Sequence, residues 1–160
     1  MATFNATHSG GGTVGHPSSA LKAYVMTSPV YDAVDNTDLS QGDIVQLMDI
    51  PADTMIIGGC IETLEASGNG QITFDVGFTG GDVDCLVDGA ASTAIITPFL
   101  SAAAGATGAN PVLLTAADTI DLLVIDGGSS HSATWRFRAH VVLVDVSKNP
   151  VESATVTTGT

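Results

Sequence analysis

Gly128-Ser129-Ser130-His131-Ser132 gathers hydroxyls and an imidazole in one short stretch. These are the residue types of nucleophilic catalysis, in which a base takes the proton of an attacking hydroxyl and an acid orients that base. Such a nucleophile stands on a tight strand-to-helix turn. Here the stretch follows Asp126-Gly127 and runs into another strand pattern, so it reads as a polar loop. Asp82, Asp84 and Asp88 lie in Gly81-Asp82-Val83-Asp84-Cys85-Leu86-Val87-Asp88-Gly89. Alternate carboxylates on a loop are able to converge on calcium, which takes about six to eight hard oxygens. Leu86 stands where a third alternate acid belongs, and no closing glutamate follows. Solvated loop acids are the simpler reading, and no metal ligand is assigned. Gly10-Gly11-Gly12-Thr13-Val14-Gly15 has the spacing of a dinucleotide-binding turn, which requires an apolar strand before it and a helix after it. Nothing apolar precedes it and His16-Pro17 follows, so no cofactor is expected. Cys60 and Cys85 have neither metal nor redox spacing, and read as small buried hydrophobes. His8, His16, His131 and His140 do not cluster in sequence.

One constellation remains. Arg136, Arg138 and His140 alternate along the final strand pattern and so project from one of its faces. They hold half of the chain's Lys+Arg, which number 4. Two roles fit: a ladder of cations paired to acids of the same chain, or a contact to an acidic partner or a neighbouring subunit through arginine forks. Arg136, Arg138 and His140 are taken as interface residues.

The elements that position them are β-strands. Nearly all the acids are Asp, glycine reaches 18 and charged residues are only 13%. That composition suits turns more than helix interiors. Leu21–Tyr31 reads as a first strand, Ile44–Met48 as a strand apolar on both faces, and Pro111–Thr115 and Thr119–Ile125 as two more. Residues 80–92 form a loop carrying a short strand, and Ala94–Ala104 is divided between strand and helical turn by Pro98. Thr54–Ala66 and Gln71–Phe78, joined by Ser67-Gly68-Asn69-Gly70, read as a hairpin. A three-residue loop would pair Ala66 with Ile72, Leu64 with Phe74 and Cys60 with Phe78, at the cost of facing Glu62 onto Val76. In Ser132–Val146, Trp135, Phe137, Ala139, Val141 and Leu143 point one way, and the cations point the other. At ~3.3 Å per residue that run spans roughly 50 Å, so it must bend or change partner. Around eight short strands spaced by turns predict an all-β, jelly-roll-like β-sandwich. Residues 1–20, small, polar and glycine-rich, are expected to be a flexible N-terminal arm; 21–148 form the sandwich and 149–160 a tail.

Net charge is −13, with 17 acids. A phosphate backbone is bound by clustered cations, so nucleic acid is an unsuitable partner, as is an anionic membrane surface. Mean hydropathy is +0.35. Yet no apolar run reaches the ~18 residues that would span a bilayer, and Met1–Phe4 lacks the basic and apolar regions of a secretory signal.

The core from about Asp43 to Val146 resembles the tailed-bacteriophage head decoration proteins, also called cement or capsid-stabilising proteins. The resemblance is carried by Pro51-Ala52-Asp53-Thr54 with Gly58-Gly59 and Glu62. It continues in Asp75-Val76-Gly77, Gly81-Asp82-Val83-Asp84 and Asp88-Gly89, in Asp118–Leu122, and in the long last strand. It implies a jelly roll that forms a homotrimer on the outer surface of the capsid, bound to the phage major capsid protein, with an arm reaching neighbouring subunits. It implies a virion protein made in the host bacterial cytoplasm, and no catalytic residues. The alternative is a tail or fibre component, such as a host-binding adhesin domain, for which 5% aromatic residues is a poor supply. A metal-dependent jelly-roll enzyme would need inward histidines and a glutamate at ligand spacing, a pattern this chain lacks.

Overall fold

A computed structural model describes residues 23–34, 39–67, 72–78, 80–101, 111–126 and 134–147. These form ten strands: β1 (Ala23–Thr27), β2 (Tyr31–Asp32), β3 (Ile44–Ile50), β4 (Thr54–Glu65), β5 (Thr73–Gly77), β6 (Val87–Ala91), β7 (Ile96–Pro98), β8 (Val112–Leu114), β9 (Asp118–Asp126) and β10 (Arg136–Asp145). No α-helix occurs among the described residues. One sheet has the order β1-β10-β4-β7, with β2 added to β10 and β8 to β4; the other has the order β3-β9-β5-β6. Every pairing is antiparallel.

Setting aside β2 and β8, the pairings nest. β1 meets β10, β3 meets β9, β4 meets β7 and β5 meets β6. This is one long antiparallel ribbon, folded back at β5/β6 and wound so that successive rungs fall in alternate sheets. That is the jelly roll.

The core lies where the two sheets face each other. Trp135, Phe137, Ala139, Val141 and Leu143 of the β10 segment are fully buried, opposite Phe74 and Val76 of β5 and Ile120, Leu122 and Val124 of β9. The alternation expected for this last strand is the one observed. Trp135 joins the sheets, its ring centroid 5.3 Å from that of Phe74, while on its own sheet it lies 4.2 Å from Phe137, on which Tyr31 stacks at 5.2 Å. Gly59 of β4 is held to glycine by crowding, since a Cβ there would strike the His140 carbonyl and the Phe99 ring.

The expected hairpin is corrected. β4 pairs with β10, β7 and β8 in one sheet, while β5 pairs with β6 and β9 in the other. The connection between them is an arch across the sandwich, pinned where Ser92 Oγ accepts from the Ile72 N–H at 3.1 Å and meets Ser67 Oγ at 3.0 Å. Leu64, expected opposite Phe74, is 43% exposed, and Phe74 instead lies beside Ala90 and Val124. Two amphipathic strands bury their apolar faces as well across a sandwich as in one sheet, and alternation does not distinguish the two arrangements.

Other elements need smaller revisions. The first strand breaks at Ser28-Pro29, where proline has no N–H to give the ladder. Ser28 compensates by accepting the Ala139 N–H on its hydroxyl at 2.9 Å. Pro98 ends a short edge strand, a place where sheets tolerate proline. β10 keeps to one sheet and changes neighbour along one edge, from β2 to β1. The arm, the tail, the turn at Gly68–Gly70, the Gly128–Ser132 loop (with His131), His8 and His16 lie outside the described residues.

Trp135→Ala should cost about 3–5 kcal/mol of stability, because it empties the contact between the sheets. Leu64→Ala should cost under about 1 kcal/mol, as a surface change. Urea unfolding of the two variants checks the arch, since a hairpin would make both substitutions severe.

Candidate functional site

The outward face of β10 carries Arg136, Arg138 and His140, as the alternation requires. Antiparallel neighbours supply their partners by register: Arg136 lies between Asp32 of β2 and Glu65 of β4, Arg138 opposite Glu62, and His140 between Thr27 of β1 and Cys60. The three residues thus form one continuous polar ladder.

Glu62 is its centre. Arg138 Nε donates to Glu62 Oε2 at 2.6 Å, and His140 Nε2 donates to the same oxygen at 2.9 Å. Because His140 Nε2 carries the hydrogen, Nδ1 accepts from the Thr27 hydroxyl at 2.9 Å when the ring is neutral and donates to it when the ring is charged. Arg136 Nε approaches Asp32 Oδ2 at 2.8 Å, as a close charge contact rather than an aligned hydrogen bond, and its other end reaches Glu65 at 4.0 Å. With Arg136 and Arg138 side chains 43% and 36% exposed, solvent screens these pairs and each adds little to stability. Each cation that the sequence set on this face is met by an acid of its own chain.

Glu62 was the residue misplaced by the hairpin reading, which set it against Val76. Its discomfort there was the available signal that β4 had a different neighbour. The hydrogen bond from His140, then that from Arg138, hold its carboxyl below the ordinary value of 4.5, against a smaller opposing effect of burial. Cys60 shares this face; burial, then the Glu62 carboxylate, push its thiol up. Cys85 is buried on the other side, pushed up to about 12 chiefly by burial and then by Asp82 and Asp84. Both thiols are kept protonated and are poor nucleophiles or metal ligands.

The acidic loop of residues 80–86, which precedes β6, packs over β5 at Gly77. Gly77 is needed there, because a Cβ would strike the backbone of Asp82 and Val83. Asp82 shares a hydrogen bond with Asp84, which raises its pKa. Asp88, like Asp84, acts on Asp75 through its charge. Among the described residues no group of three or more His, Cys, Asp or Glu stands close enough to hold a metal ion. Sequence reasoning passed over Asp75, a buried carboxylate that accepts the Gly89 N–H at 2.7 Å. Burial, opposed by that hydrogen bond and aided by Asp88 and Asp84, raises its pKa above 3.8.

The two carboxylates respond to pH in opposite senses. Glu62, with its folded pKa depressed, contributes stability that is present above 4.5 and is lost as pH falls through its folded value. Asp75, with its folded pKa raised, costs stability as pH rises from 3.8 through its folded value. Glu62→Gln should therefore flatten the acid limb of a stability-versus-pH curve. Asp75→Asn, which keeps an oxygen for the Gly89 N–H, should instead gain stability at neutral pH relative to the wild type. Thermal unfolding between pH 3 and 7 reads both, and matching slopes in the two variants would contradict the assignment.

No protein-family model and no curated protein matches this sequence. Its fold does recur among solved structures. A chain in the cyanophage Pam1 capsid asymmetric unit aligns with a TM-score of 0.55 at 17% identity, over 89% of this chain and 93% of that one. A chain in the capsid of Ralstonia phage GP4 aligns with a TM-score of 0.52 at 18% identity, over 78% and 86%. A chain in the acidic stable capsid structure of Helicobacter pylori bacteriophage KHP30 aligns with a TM-score of 0.53 at 9% identity, over 76% and 86%. The β-sandwich built here is thus one that chains in three phage capsid structures share.

Proposed function

We propose that this chain is a structural protein of a tailed-bacteriophage virion. It binds the outer surface of the capsid as a homotrimer, contacts the major capsid protein, and cements the head shell without catalysing a reaction. The observation that carries the reading is the extent of the fold match to a phage capsid chain, 89% of this chain against 93% of that one, which leaves little of either chain outside the alignment. The decoration-protein motifs between Pro51 and Leu122 point the same way. Many small contacts repeated over a shell add by avidity, so a weakly holding surface is sufficient for cement. Arg136, Arg138 and His140 sit at the contact between subunits, and residues 1–20 reach from the sandwich to a neighbouring subunit or to the shell.

Tagged protein mixed with purified shells should co-sediment with them and raise their resistance to heat. Gold label should mark heads; label confined to tail tips would replace this reading with a fibre or adhesin role. Deleting residues 2–18 should leave the fold intact and lower shell affinity. Arg136→Ala combined with Arg138→Ala should lower the melting temperature little, since its pairs are half-exposed, and weaken assembly more. Unchanged assembly in that double variant would remove these residues from the interface.

A further inference from the structure

We infer that the outward face of the larger sheet, across β1, β10, β4 and β8, is the surface on which copies of this chain meet. The inference rests on the self-association in the proposed function and gives it a place on the fold.

β1 and β8 are apolar on both sides. Tyr24 and Met26 of β1, and Val112 and Leu114 of β8, pack against the core. Between them Val25 and Leu113 point the opposite way and are 64% and 56% exposed. A strand that presents apolar side chains on both faces is the pattern of a strand covered on both faces. Register joins these residues across the sheet, with Val25 beside Val142 on β10, and Leu113 beside Met55 on β4. At the other end Ile96, 52% exposed, stands beside Glu62. The face therefore reads as an apolar field bordered by the Arg136–Arg138–His140 ladder.

Charge selects the occupant. A chain of net −13 repels its own copies, but at physiological salt the Debye length is about 8 Å, so the charges that matter are those brought face to face. Both described arginines stand on this face, paired with Asp32, Glu65 and Glu62. No other described residue is a lysine or arginine. The opposite sheet and its loops present Asp43, Asp49, Asp82, Asp88, Asp118 and Asp126 with no described arginine or lysine among them. A basic partner is drawn to that acidic side. A second copy meets least repulsion on the side where arginines offset most of the acids, and the exposed apolar side chains there supply the gain.

The test substitutes Val25→Asp and Leu113→Asp, singly and together, with Val83→Asp on the acidic side as control. Val25 and Leu113 lie on different strands, so a folding defect in one single variant leaves the other informative, and far-UV circular dichroism checks both. Sedimentation equilibrium should show wild type and Val83→Asp as the same multiple of the chain mass. The double variant should sediment as a folded single chain, its self-dissociation constant raised by roughly a hundredfold or more, as expected when unpaired charge is forced into a contact centre. An assembled double variant overturns the assignment of this face and leaves the proposed function standing. A wild type that is itself a single chain at every concentration overturns the self-association too. A double variant that assembles normally but no longer co-sediments with shells gives the face to the shell, and likewise overturns the inference.

Discussion

β10 is bonded along both edges, to β1 and β2 on one side and to β4 on the other, while its two faces are chemical opposites. One face sends Trp135, Phe137, Ala139, Val141 and Leu143 into the core; the other displays Arg136, Arg138 and His140. A slip of one residue would exchange the faces, placing guanidinium groups against Phe74 and the indole in water. Burying unpaired guanidinium charge costs several kcal/mol per group. The register of this strand is therefore the constraint from which the rest follows. It sets where β1 and β4 lie, and through the Trp135–Phe74 contact it ties the larger sheet to the smaller one.

The same division organises the electrostatics. Because both described arginines belong to the outward face of β10, acids elsewhere find no guanidinium, and several settle near one another. Asp75 lies buried beside Gly89 of β6, with Asp84 and Asp88 nearby. On the outward face of β10, by contrast, Glu62 collects two donors on one oxygen and is held ionised. The described residues thus give the molecule two sides of different character, one partly apolar with its acids mostly offset by arginine, the other acidic.

The nested pairing explains how small polar side chains come to matter. Where the ribbon crosses from one sheet to the other its backbone leaves the ladders, and buried polar groups must be met by side chains. Ser92 does this at the arch between β4 and β5, and Ser28 at the break beside Pro29. Asp75 does the same inside the sheet, holding the bulge of β6 at Gly89. None of these residues forms a catalytic pattern in sequence, and each is explained by the accounting of backbone hydrogen bonds.

Much of this was legible in the order of the residues. The period-two alternation of Ser132–Val146 showed which side chains face inward, and the abundance of Asp, Gly and β-branched residues indicated strands and turns. The shared face of Arg136, Arg138 and His140 follows from that alternation alone. What alternation lacks is the identity of the neighbour. It tells which side of a strand is apolar, and a strand is content with any partner that covers that side. So Thr54–Ala66 and Gln71–Phe78 looked like a hairpin, while the folded chain sends them to different sheets and gives Glu62 to Arg138 and His140, residues 76 and 78 positions away. The burial of Asp75 was equally out of reach, because its neighbours, Gly89 of β6 and Leu123 of β9, are set by sheet pairing. Contacts of this kind arise from closing the sandwich, where the cost of every exposed apolar face is weighed at once rather than strand by strand.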